Sequence, residues 1–246
     1  MKFSIITVCH NAVSTIERTI KSVIGQNYPD FEYIVIDGAS TDGTLNILDD
    51  YRQKITHLIS EKDRGIYSAM NKGIRLANGE IIAFLNSDDF YIDENVLTTV
   101  RNRIETSDKH ADVYYGNLII YNKGTGEGRL WKPGLLDRLF LYRGTLPHPA
   151  MFYRRNVFDT VGIFDESFVI SGDYEWVTRA YFHKQVKFSY INVLPVVFME
   201  GGKSTSPSGS AIAKEEKIKI RNMYYSDFSG KIYYPIRNRI KKTFGF

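Results

Sequence analysis

Two acidic clusters, each closing an apolar run, hold the residue types best suited to chemistry. They are Ile34-Val-Ile-Asp-Gly-Ala-Ser-Thr-Asp-Gly-Thr44 and Ile81-Ile-Ala-Phe-Leu-Asn-Ser-Asp-Asp89. A strand-end carboxylate such as Asp37 can accept a hydrogen bond from a nucleobase N–H or a ribose hydroxyl. Without a partner it would be costly at the end of an apolar strand. Asp42 reads in two ways, as a nucleoside contact or as part of an ordinary Asp-Gly-Thr turn and helix cap. Asp88 and Asp89 are adjacent acids that repel each other unless a cation lies near them. A hard divalent ion such as Mg²⁺ or Mn²⁺ is typically held by one or two carboxylates, with substrate phosphates and water completing the shell.

Two further segments join them. In Glu61-Lys-Asp-Arg-Gly-Ile-Tyr-Ser-Ala-Met-Asn-Lys-Gly73, Arg64 and Lys72 can face phosphate, and Gly65 lets backbone approach a ligand closely. A solvated charged loop explains the same residues. In Ser171-Gly-Asp-Tyr-Glu-Trp176, Asp173 and Glu175 open a helix. Acids in a first turn often serve only the helix dipole. Here an apolar approach, Gly172 and Trp176 also fit a semi-enclosed general base.

The elements that must position these groups alternate strand and helix. Strands are expected at Phe3–Cys9, Glu32–Asp37, Ile55–Ser60 and Glu80–Asn86. Helices are expected from a Ser14–Glu17 capping box to Gly25, over Thr44–Tyr51 and Ile66–Ala77, and from an Asp93 cap to Ile104. Short βα connections imply a parallel, right-handed sheet whose C-terminal edge binds ligands. The second half is less regular. It reads as a strand over Ala111–Ile120, a glycine-rich turn at 122–128, an extended Pro147–Arg154, a helix over Asp173–His183, and β structure over Lys187–Glu200. A breaker-rich loop then spans Gly201–Gly209, with the composition of a donor-ordered lid, before a helix over 210–226. The division expected is 1–209 as one domain, with a nucleotide-binding half at 1–110 and an acceptor half at 111–209, followed by a helical basic extension at 210–246.

Composition narrows the classes. The 246 residues are 43% hydrophobic, and no run approaches the roughly 20 apolar residues of a transmembrane helix. With no signal-peptide pattern and one cysteine, Cys9, a reducing cytoplasm is expected, with no disulfide framework and no cysteine zinc site. From Lys214 to Phe246 there are nine Lys/Arg against three Asp/Glu, whereas the rest holds 23 against 25. A near-neutral body argues against nucleic acid as partner. In the tail, Ile232, Ile236, Ile240 and Phe244 recur beside Arg237, Arg239, Lys241 and Lys242. This pattern suits peripheral membrane contact through 231–246, and equally a helix packed on the domain.

Taken together, the four segments resemble the family 2 glycosyltransferases of the GT-A fold, notably bacterial exopolysaccharide and O-antigen enzymes, over about residues 2–205. The matching stretches are Ile5-Ile-Thr-Val-Cys-His-Asn11, Asp37–Thr44, Asp63–Gly73 and Phe84–Asp89, the last resembling a DXD-type metal motif. The resemblance implies one α/β, Rossmann-like domain with a mostly parallel central sheet and an α+β acceptor half. It places Thr7 and Val8 at the base pocket, Asp37 on the base, Asp42 by the nucleoside and Asp88 at the ribose or sugar. Asp89 becomes the direct ligand of Mn²⁺ or Mg²⁺. Asn11, Ser40, Arg64 and Asn71 are counted among the nucleotide-sugar contacts.

Asp173 is implied as the base, although Gly172 stands where the family commonly has Glu, and Glu175 is the fallback. Asn86 stands where Asp is frequent. His148 resembles a recurrent position at the acceptor or diphosphate, with a structural histidine as the other reading, and Trp176 is a further candidate acceptor contact. The implied activity is metal-dependent, inverting transfer from a nucleotide sugar, UDP-linked, to a saccharide or lipid-linked hydroxyl in cell-surface polysaccharide synthesis. A catalytically silent sugar-nucleotide or glycan-binding module is the alternative. An aspartyl-phosphate enzyme wants an acid at Ala39, and a nucleotidyltransferase wants glycine within 10–14; neither is present.

Overall fold

The computed structural model describes residues 1–107, 110–183 and 185–226. The expected membrane-contact stretch, 231–246, lies outside the described residues. Among them, no helix is long and apolar enough to cross a membrane.

The first half is built from β1 (Phe3–Cys9), α1 (Ile16–Ile24), β2 (Phe31–Asp37), α2 (Thr44–Asp50), β3 (His57–Ser60), α3 (Ile66–Leu76), β4 (Ile81–Phe84), β5 (Phe90–Tyr91) and α4 (Val96–Thr106). The second half follows with β6 (Val113–Tyr115), β7 (Leu118–Asn122), β8 (Glu127–Trp131), α5 (Arg138–Arg143), β9 (Met151–Arg154), α6 (Val157–Val161), α7 (Gly172–Phe182), β10 (Phe188–Tyr190), β11 (Val196–Glu200) and α8 (Pro207–Tyr224).

A seven-stranded sheet runs β10-β6-β9-β4-β1-β2-β3. Strands β1 to β4 are mutually parallel, with Ile6 opposite both Ile34 and Phe84. The one exception to parallel direction is β9, antiparallel to both β4 and β6. A second sheet runs β5-β11-β7-β8. The alternation of β1 and β2 sends Ile6, Val8, Ile34 and Ile36 to a core beneath α3, α7 and α8, and Ile5, Tyr33 and Val35 to a core beneath α1 and α4. Both faces of the strands are covered, which is why they read as unbroken apolar runs.

Local chemistry shifted several boundaries. The capping box at Ser14–Glu17 does not form: α1 starts one residue later, Thr15 bonds to the Ala12 carbonyl, and Glu17 instead binds Lys21 and Tyr51. Asp93 caps the turn at Asn95 rather than α4 itself. The strand expected over Ala111–Ile120 is two strands in different sheets, broken at Gly116. Its backbone lies so close to Val193 that a Cβ would sit 2.7 Å from that carbonyl oxygen. The breaker-rich loop ends early, because Ser206 accepts from the Gly209 amide and Pro207 begins α8. That helix packs on the domain, with Ile220 and Tyr225 buried in the core.

Candidate active site

The strand order reverses between β1 and β4, and a cleft of about 1020 Å³ opens where their C-terminal ends diverge. The wall from the first half includes Val8 near the end of β1, Asn11 after it, Gly38 after β2, Asp63 and Arg64 before α3, and Asp88 after β4. The second half contributes Pro147, His148, Val169, Ile170 and Asp173, together with Gly201 and Gly202 after β11. Of the residues expected from the sequence, Val8, Asn11, Arg64, Asp88, His148 and Asp173 therefore share one cleft.

Asp173 is placed by the first turn of α7. Gly172 before it lies against the Tyr67 ring, where a Cβ would come within 2.7 Å of a ring carbon. The Tyr67 hydroxyl is 2.6 Å from the Ile170 carbonyl oxygen and 3.1 Å from Asp173 Oδ1. Burial, and then the neighbouring Asp173 charge, hold the Tyr67 phenol well above its ordinary pKa, so it stays a donor. His148 stacks on Phe84 with ring centroids 5.1 Å apart. Its Nδ1 is 3.1 Å from the Tyr153 hydroxyl, and Nε2 is buried without a hydrogen-bond partner. Burial lowers its pKa, against a smaller upward pull from Asp173, so the ring is neutral.

The acid pair after β4 is held by α1: Arg18 donates to the Asp88 carbonyl at 2.9 Å, and Thr19 to the Asp89 carbonyl at 2.7 Å. The Asp88 carboxylate faces the cleft, with Gly202 pressed against it; a Cβ there would be 2.5 Å from Oδ2. Asp89, expected as the direct metal ligand, is fully buried and absent from the cleft wall. Its Oδ1 accepts from the Met199 amide at 3.0 Å, while Oδ2 has no hydrogen-bond partner. Burial raises both carboxyl pKa values, and the Asp88 charge raises that of Asp89 further.

Two carboxylates with raised pKa values, one with an unpartnered oxygen, fit a divalent cation, whose charge would relieve both. Among the described residues, no group of three or more His, Cys, Asp or Glu could hold a metal. Donor phosphates and water would have to complete the shell.

The remaining expected contacts lie behind the wall or outside it, each for a local reason. Asp37 is fully buried and bonds to Ser40 N at 2.9 Å, to the Ser60 hydroxyl at 2.7 Å and to the Ser40 hydroxyl; Gly38 is the residue of its segment that reaches the cleft. Ser40 is tied between Asp37 and the Asn11 amide. Asp42 accepts from the Val13 amide and from the Thr44 amide and hydroxyl, fastening the β1–α1 loop. Thr7 points inward to Tyr33. Asn71 bonds in both directions with the Phe164 backbone, stapling α3 to the second half.

Glu175 is buried in an ion pair with Arg179 and accepts from the Tyr224 hydroxyl, so it is not available as a fallback base. Trp176 is a core residue whose Nε1 donates to the Gly162 carbonyl. Arg64 reaches the cleft paired with Glu166 at 2.7 Å. Cys9 packs at the end of β1, where burial and Asp37 push its thiol pKa up.

Asp63 and Tyr67 were missed by sequence reasoning. Asp63 lines the cleft, ion-paired with Lys72 and close to Gly38. Both lie in the Asp63–Gly73 stretch that carries part of the family resemblance, but neither residue type at its position singled it out as a contact.

The sequence model of glycosyl transferase family 2 matches residues 4–162. A PGL/p-HBAD biosynthesis glycosyltransferase of Mycobacterium bovis BCG is 30% identical over 203 residues, 81% of this chain and 77% of that protein. The putative teichuronic acid biosynthesis glycosyltransferase TuaG of Bacillus subtilis is 42% identical over 89 residues, 35% of each chain. The S. aureus TarS structure in complex with UDP-GlcNAc has a TM-score of 0.69 at 22% identity, covering 90% of this chain and 67% of that one. A Pyrobaculum calidifontis mannosyltransferase in complex with GDP-Man and Mn²⁺ has a TM-score of 0.66 at 18% identity, covering 95% and 66%. A seven-stranded, mostly parallel sheet with its acids gathered at the β1–β4 divergence is thus the GT-A fold, and the chain belongs to glycosyltransferase family 2.

Proposed function

We propose that the cleft performs inverting transfer of a sugar from a UDP-sugar to a hydroxyl of a saccharide or lipid-linked acceptor in cell-surface polysaccharide synthesis. The observation that carries this reading is the meeting of two carboxylates, Asp88 from the first half and Asp173 from the second, in one cleft large enough for a nucleotide sugar. Asp173 takes the proton of the acceptor hydroxyl. Tyr67 engages Oδ1, leaving Oδ2 for that proton. The acceptor oxygen then attacks the anomeric carbon from the face opposite the nucleotide, and the nucleoside diphosphate departs. Asp88, with the unpartnered oxygen of Asp89 behind it, would hold Mn²⁺ or Mg²⁺, which when bound would neutralise charge growing on the leaving diphosphate. The unpartnered Nε2 of neutral His148 and the Arg64 guanidinium support contacts to the diphosphate or acceptor. The name of one relative, in teichuronic acid biosynthesis, supports a role in polysaccharide synthesis.

Hydrolysis of a panel of nucleotide sugars, with and without Mn²⁺, tests the reading. Turnover of one donor is expected, and failure with every donor would favour a silent binding module. Asp173→Asn should lower turnover by about 10²- to 10⁴-fold while leaving UDP binding within about twofold. Near-normal turnover of that variant would remove Asp173 from its role.

A further inference from the structure

Glu216, on α8, reaches out of its own helix to hold a strap of backbone. Its carboxylate accepts from three successive amides: Val169 at 2.5 Å, Ile170 at 3.0 Å and Ser171 at 2.7 Å. Successive amides converging on one anion form a concavity in which each bond is charge-assisted. The strap leads directly into Gly172 and Asp173, and Val169 and Ile170 stand in the cleft wall. From the other side, Tyr67 on α3 donates to the Ile170 carbonyl and abuts Gly172. Backbone 169–172 is therefore clamped between α3 and α8, with Asp173 at its end.

The helix is itself anchored over the turn that follows Glu216. Lys217 bonds to the Arg143 carbonyl, and Arg221 Nε donates to the Tyr142 carbonyl at 2.9 Å. The Lys219 ammonium sits 4.2 Å over the Phe168 ring, and Ile220 is buried. These contacts fix where the carboxylate of Glu216 stands, and through the strap they fix where Asp173 stands.

We propose that Glu216 is a positioning residue for the transfer reaction, setting the place of Asp173 by holding the amides of Val169, Ile170 and Ser171. This rests on the reading of Asp173 as the base. A misplacement of about 1 Å can lower a rate about 100-fold even when its cause lies away from the chemistry. The strap is the only covalent approach to Asp173 from its N-terminal side, so loosening it moves the carboxylate against the acceptor hydroxyl. The nucleotide contacts on the β1 and β4 side are left alone.

The test uses the full chain, with amide hydrogen exchange, UDP calorimetry in Mn²⁺, and turnover of the donor selected in the panel above. Glu216→Ala is expected to speed exchange at residues 169–171 and to lower turnover about 10- to 100-fold, with UDP affinity within about twofold. Glu216→Gln, which keeps one accepting oxygen on the same stem, should restore part of both. In an Asp173→Asn background, Glu216→Ala should cost less than about twofold more, because residues acting as one unit are not additive.

Unchanged exchange or wild-type turnover in Glu216→Ala would overturn the proposal. So would an equal loss in the Asp173→Asn background, which would leave Asp173 as the base. Near-normal turnover of Asp173→Asn would overturn the base reading and the proposal with it. Should Glu216→Ala not fold, Glu216→Asp keeps the charge but falls short by a methylene. Wild-type exchange and turnover in that variant would equally overturn the proposal.

Discussion

Removing the carboxylate of Asp37 is expected to unfasten the loop after β2 and to cost stability first. The group is fully buried and accepts from the Ser40 amide, the Ser40 hydroxyl and the Ser60 hydroxyl. A hydrogen bond to a charged group contributes about 1.5–3 kcal/mol net. The two hydroxyls can rotate toward other acceptors, whereas the buried amide cannot, so the three bonds do not simply add. Asp37→Ala should therefore destabilise by about 3–5 kcal/mol, near the range for breaking a buried charged network. With a urea m-value of about 3 kcal/mol per M, the unfolding midpoint should fall by roughly 1–2 M.

The pH dependence has a definite sign. Burial raises the Asp37 carboxyl, but the bonds from Ser40 and Ser60 more than offset this and hold it below its ordinary value of 3.8. A depressed acid contributes stability that is fully present above the unfolded value and is lost as pH falls through the folded one. The gap between wild type and Asp37→Ala in urea titrations should thus be widest near neutrality and close below pH 3.8. A neutral-pH midpoint within experimental error of wild type, with only UDP affinity reduced, would refute the latch and restore Asp37 as a ligand contact.

Three further outcomes are expected. Gly172→Ala places a Cβ 2.7 Å from the Tyr67 ring and should destabilise by about 1–3 kcal/mol in thermal melts while lowering turnover, because the strap before Asp173 must shift. Mn²⁺-dependent UDP affinity should weaken on acidification from a pH above the ordinary carboxylate range, since Asp88 and Asp89 both protonate early; calorimetry across pH 4–7 reads this, and the dependence should be smaller, with Asp89 alone left to titrate, in Asp88→Asn. Glu175→Gln should lower the urea midpoint through its bonds to Arg179 and Tyr224, yet leave turnover per folded molecule within about twofold, as surface-independent core bonds predict.

The sheet and its order of elements were legible because the strands are covered on both faces. The run Phe3–Cys9 is uniformly apolar or small and ends at a polar His-Asn pair, so β1 reads to the residue. What could not be read depends on partners far along the chain. Gly116 breaks a strand only because Val193 comes to lie against it. Asp37 reads as a cleft acid until Ser60, delivered by β3, occupies it.

In the segment 173–176 the residue types alone admit an acid or an aromatic at the cleft. At about 100° per residue, Glu175 points to the side of α7 away from Asp173, but Trp176 is a near neighbour of Asp173 on the wheel, and it is tertiary packing on Tyr153, Phe158 and Phe164 that takes its ring into the core. The acid pair after β4 shows the same limit. Adjacency announces a cation site, but which member surfaces is decided by Met199 on β11, whose amide takes Oδ1 of Asp89 inward.

The place of β9 in the main sheet has a consequence for synthesis and for engineering. It fills the gap between β4 and β6, so the edge of β4 stays bare until residues 151–154 have left the ribosome. A nascent chain stopped before that point presents an unpaired apolar strand, the kind of edge that chaperones cover and that aggregation exploits. The same threading means that the two halves are not interchangeable cassettes. A chimera joined anywhere between Phe84 and Met151 must match the foreign β9 to the resident β4, register for register, before either half can close.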